Sequence, residues 1–93
     1  WLDAAPDLLT HLMSVSHSIG QALQRAFKPA RVGLMIAGLE VPHLHIHLVP
    51  VQTVHDLDFA NQDLHAKPAD LDRAADTIRT SLRALGFSKV GER

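Results

Sequence analysis

The sequence predicts an α+β domain built from a long helix, an antiparallel sheet and a C-terminal helix. Three observations carry that prediction. Apolar residues recur at helical steps between Leu8 and Ala26, and again between Leu71 and Leu85. Between those two stretches, histidines alternate strictly with large apolar residues over His43-Leu44-His45-Ile46-His47-Leu48, which is the two-residue period of a β-strand. A short apolar run, Arg31 to Ala37, precedes that strand and offers it a partner.

The first helix is entered through Pro6 and Asp7. Proline loses nothing in a first turn, and an acid there meets the positive helix end. Residues 8, 12, 15, 19, 22, 23 and 26 form its apolar stripe, expected to pack on a sheet. Ser14, His17, Ser18, Gln21, Gln24, Arg25 and Lys28 fill the other side, and Pro29 stops the helix at or before Lys28. Arg31 to Ala37 is short and carries Val and Ile, so it reads as a buried strand. Gly38-Leu39-Glu40 is expected as a tight turn into the histidine strand, which Pro42 and Pro50 bracket. Val51 to Val54 could extend that strand. Gln52 to Ala69 otherwise reads as a long ordered loop, with Phe59-Ala60-Asn61 a candidate lid. Leu71, Ala74, Ala75, Ile78, Leu82 and Leu85 make the second helical stripe. Pro68 and Asp70 lie near its start and Gly86 at its stop. Residues 87–93 read as a tail.

Composition excludes several functions. The net charge is -1 and there is no Lys/Arg run, so the chain has no electrostatic footprint for nucleic acid or a membrane surface. There is no cysteine, so no disulfide and no thiolate metal site, which suits a reducing cytoplasm. The apolar runs are too short to span a bilayer.

On a strand, His43, His45 and His47 would face one way, with Leu44, Ile46 and Leu48 facing a core. Neighbouring members of the row would then lie about 6.6 Å apart and the outer pair about 13 Å. A metal could therefore be shared by two of the three, with further ligands from His55, His65, Asp56 or Asp63. The other use is nucleophilic. A neutral imidazole nitrogen can attack phosphorus and hold the phosphoryl group covalently, while its neighbours bind phosphate oxygens and move a proton. His45 is the natural nucleophile because it alone has a histidine on each side. A third reading leaves the row as decoration of a half-exposed strand.

His43-Leu44-His45-Ile46-His47-Leu48-Val49 resembles the signature of the histidine triad superfamily, in which three histidines alternate with apolar residues. Gly38-Leu39-Glu40-Val41-Pro42 is similar to the run that leads into the triad in many bacterial members. The resemblance covers roughly residues 1–55. It implies nucleotidyl transfer or hydrolysis at the α-phosphate of a nucleoside phosphate derivative, through a nucleotidyl-histidine intermediate and with no cofactor. His45 would be the nucleophile, His43 would orient it, and His47 would contact phosphate or help move a proton. Gly38, Leu39, Glu40 and Val41 would line the substrate. An α+β fold and a homodimer joined through its sheets are implied as well. Family members carry further strands ahead of the long helix. The expected organisation is therefore one domain, 1–93, forming the C-terminal two-thirds of a complete one. The chain departs from the family pattern at Leu39 and Glu40, where many members have Gln and Ser or Thr, and it lacks an Asn on the preceding strand. Two other classes stay open: a His-ligated zinc hydrolase, and a non-catalytic nucleotide-binding dimer.

The remaining candidates read as structural. His17 lies on a polar helix face and His11 at the edge of the apolar stripe. His55 and His65 flank an acidic loop, Arg79 and Arg83 sit on a solvated face, and Trp1 is a packing or interface residue.

Overall fold

A computed structural model describes residues 1–38, 43–58, 60 and 65–91. Helix α1 spans Pro6–Phe27, strand β1 Arg31–Met35, strand β2 His47–Val51 and helix α2 Pro68–Ala84; a 3-10 helix, Val54–Leu57, lies between β2 and α2. Among the described residues this is an α+β arrangement with one two-stranded antiparallel sheet.

Helix α1 starts with Pro6 in its first turn and Asp7 beside it. It ends where Lys28 takes a left-handed conformation at φ 47°, its N–H bonded to the Gln24 carbonyl at 3.1 Å. Pro29 follows and cannot continue the ladder. Helix α2 ends in a Schellman motif. Gly86, at φ 94°, donates to the Arg83 carbonyl at 3.0 Å, and Phe87 donates to the Leu82 carbonyl at 3.1 Å.

The strand register pairs Arg31 with Val51, Gly33 with Val49, Leu34 with Leu48 and Met35 with His47. Directly opposed residues share a face. Val32, Leu34 and Leu48 therefore lie on one face, and they line a groove of about 350 Å³ with Ser16, Gly20 and Gln24 of α1. Gly33, Met35, His47 and Val49 lie on the other.

The core is small: Ala22, Leu23 and Val51 are its buried apolar residues among those described. Ser16 and Ser81 are buried too, although neither belongs to an apolar stripe. Conversely Leu8, Val15, Leu71 and Leu85 sit on the stripes yet stay exposed. Length accounts for Leu8, at the start of α1. A helix of 22 residues is about 33 Å long, while strands of five residues reach only about 17 Å. The first turns of α1 overhang the sheet.

Three sequence expectations are corrected. The connection between the paired strands is not a tight turn, because Met35 pairs with His47 and residues 36–46 all lie between them. The histidine strand begins at His47, not before His43. Residues 52–54 do not extend β2, since the chain bends at Gln52 and enters the 3-10 helix at Val54.

No helix among the described residues is long and apolar enough to cross a membrane.

Candidate active site

Only His47 of the three alternating histidines lies in a strand. β1 ends at Met35, so β1 offers residues 43–46 no ladder partner. The His43 carbonyl is instead taken by a side chain. His45 Nδ1 lies 2.9 Å from it. A carbonyl can only accept, so Nδ1 carries the proton in this bond. In the neutral ring the lone pair is then on Nε2. A side chain that bonds its own backbone two residues back competes with ladder pairing, which fits the irregular path of this stretch.

The row survives the loss of regular strand geometry. The His43 and His45 ring centroids are 5.3 Å apart at an interplanar angle of 67°. Those of His45 and His47 are 4.8 Å apart at 88°. Both contacts are edge-to-face, and both separations are shorter than a flat strand gives between alternate residues. His45 is the shared member. His43 is exposed, while His45 and His47 are half-buried. Leu44, Ile46 and Leu48 are half-buried as well, and Leu48 faces the α1 groove.

The 3-10 helix supports this face of the sheet. A Cβ placed on Gly33 would come within 2.9 Å of Leu57 Cδ2. Gly33 pairs with Val49, on the same face as His47 and two positions along. Glycine is thus what lets Leu57 lie against the histidine-bearing face. Thr53 and Asp56 hold the turn in place through a reciprocal capping box. The Gln52 and Thr53 N–H groups donate to Asp56 Oδ2 at 2.9 and 3.2 Å. Those bonds, Gln52 first, hold the Asp56 carboxyl below its usual range, with a smaller contribution from the nearby His55 charge. The Gln52 side chain accepts from the Ala30 N–H at 3.2 Å, joining the end of β2 to the entry of β1. Sequence reasoning missed Gly33, Leu57 and this clasp. The Thr53-x-x-Asp56 spacing was the available signal.

Gly38 is exposed at the end of the segment after β1, and Leu39, Glu40 and Val41 lie outside the described residues. So do Phe59, Asn61 and Asp63. His55 is exposed on the 3-10 helix and His65 precedes α2. Among the described residues no group of three or more His, Asp or Glu is arranged to hold a metal ion. His11, His17 and Trp1 are exposed. Arg83 is exposed on α2, whereas Arg79 is half-buried and paired with Asp76.

The model of the HIT domain family matches residues 1–54, which runs from the chain's first residue through the triad to the start of the 3-10 helix. That is more than half of the chain, and it takes in α1, both strands and all three histidines. The protein belongs to the HIT domain family, the histidine triad family of nucleotide hydrolases and transferases.

Proposed function

We propose that this protein is a histidine triad enzyme that cleaves a nucleoside phosphoramidate or a dinucleoside polyphosphate at the α-phosphorus. The observation that carries the reading is the bond from His45 Nδ1 to the His43 carbonyl. It leaves Nε2 of the neutral ring with a lone pair and holds that ring in one orientation.

In the first step the Nε2 lone pair attacks the α-phosphorus. A P–N bond forms as the bond from phosphorus to the amine or phosphate leaving group breaks, and the leaving group takes up a proton. In the second step water, or another acceptor hydroxyl, attacks the same phosphorus. The P–N bond breaks, its electron pair returns to Nε2, the attacking hydroxyl gives back to the site the proton that the leaving group took up, and the nucleotide is released. His47, in edge-to-face contact with His45, binds a phosphate oxygen or passes the proton. His43 orients His45 through its main chain. No metal takes part in either step. The substrate is a nucleotide, and the working unit is a homodimer. Met13 and Leu34 are exposed, which is apolar surface of the kind that a second copy covers.

Incubation with adenosine 5′-phosphoramidate tests the reading. The protein should release AMP, and the His45→Ala variant should not. Turnover that survives His45→Ala would overturn the assignment.

A further inference from the structure

A groove of about 540 Å³ lies between α1, α2 and the segment after α2, and no triad residue lines it. Its walls are Val15 and Ile19 from α1, Leu82 from α2, and Phe87 and Val90 from the following segment. The volume is in the ordinary range for small-molecule sites, about 300–1,000 Å³. The charged groups on it, among the described residues, are both cations. Arg79 and Lys89 line it, together with Ser18 and Ser88, and among the described residues no carboxylate does. Ser18 is spent on the Ser14 carbonyl at 3.2 Å. Arg79 is paired with Asp76 through Nη2, but a guanidinium has five donors, so one pair leaves it able to take a second anion. The end of α2 would ordinarily oppose an anion here, because free carbonyls gather at a helix C-terminus. In this chain the Leu82 and Arg83 carbonyls are already bonded by Phe87 and Gly86.

An apolar trough with cations at its rim is complementary to a molecule that is apolar along its length and anionic at one end. We propose that this groove binds a linear monocarboxylate of medium chain length, its tail along Ile19, Leu82 and Phe87 and its carboxylate between Arg79 and Lys89. This site is separate from the triad and does not depend on the catalytic reading.

Titration of the isotopically labelled protein with sodium decanoate, followed by amide NMR, tests it. Saturable shifts are expected at Ile19, Leu82, Phe87 and Val90. The Arg79→Gln/Lys89→Gln double variant should weaken binding about tenfold or more, since hydrogen bonds to charged groups are the strong ones. Lys89→Gln alone lies outside α2 and should weaken it by a smaller factor with the helix intact. Neutral decanol should shift the same amides with an affinity no better than that of the double variant for decanoate. Three results would overturn the proposal: no shifts with millimolar decanoate, shifts confined to other residues, or an affinity unchanged in both variants. Shifts at those amides that grow with protein concentration alone would assign the groove to a second copy of the chain, and would also overturn it.

Discussion

The Nδ1–H of His45 donates to the main-chain carbonyl of His43 at 2.9 Å. The partner is backbone, so the bond does not need the His43 imidazole. His43→Ala should therefore keep His45 in its proton-on-Nδ1 form and lose only the 5.3 Å ring contact. Turnover of adenosine phosphoramidate should fall by no more than about a hundredfold in His43→Ala, the low end of what a positioned acid–base group contributes. It should fall by orders of magnitude more in His45→Ala. Equal losses in the two variants would mean that the His43 ring itself does chemistry.

Gly33 is where the 3-10 helix meets the sheet, with Leu57 Cδ2 2.9 Å from the place a Cβ would occupy. Gly33→Val should destabilise the fold by about 1–3 kcal/mol, the usual cost of overpacking. Leu57→Ala in the same chain should recover part of that loss, because it removes the atoms that clash. Urea unfolding of both single variants and the double variant gives the coupling. Strict additivity would show that the contact is not the cause.

Asp56 makes part of the stability depend on pH. Its folded-state pKa lies below the ordinary 3.8 because two N–H groups donate to the carboxylate. A depressed acid stabilises the fold above its unfolded-state value, and that contribution is lost as pH falls through the folded-state value. The gap in urea midpoint between the protein and Asp56→Asn should be steady at neutral pH and narrow below about pH 4. It should be small, since the carboxylate is exposed. A gap that widens on acidification would contradict the sign.

Gly86 has φ 94° and nothing within 4 Å of where a Cβ would sit. The cost of Gly86→Ala is therefore conformational and not steric, about 1 kcal/mol. Thermal unfolding should show a lowered midpoint, and an unchanged one would mean that α2 can end without the left-handed turn.

Both helices were legible because their ends are written in local chemistry. Pro6 and Pro29 bracket α1, and Pro68 and Gly86 bracket α2, each acting within a turn of its own position. The antiparallel pairing was legible for a similar reason, since two short apolar runs had one compact way to meet. The register was not. Where a ladder stops depends on the partner strand, and β1 ends at Met35. Alternation alone therefore placed His43 and His45 on a strand that begins only at His47. The closeness of the three histidines was legible in their spacing, and the rings at 5.3 and 4.8 Å lie in that order. The Leu57 contact on Gly33 was hidden by distance along the chain: nothing near Gly33 announces a residue 24 positions away. The burial of Ser16 and Ser81 in place of Val15 and Leu71 has the same origin, because a stripe says which residues could be covered and not how far the covering surface reaches.

The central claim is that Nε2 of His45 forms a bond to phosphorus. Rapid acid quenching during turnover of adenosine 5′-phosphoramidate, then mass spectrometry of the peptides, looks for that bond. An adenylyl group on the peptide that carries His45, absent from the His45→Ala protein, is the predicted result. Steady release of AMP with the group on another residue would contradict it.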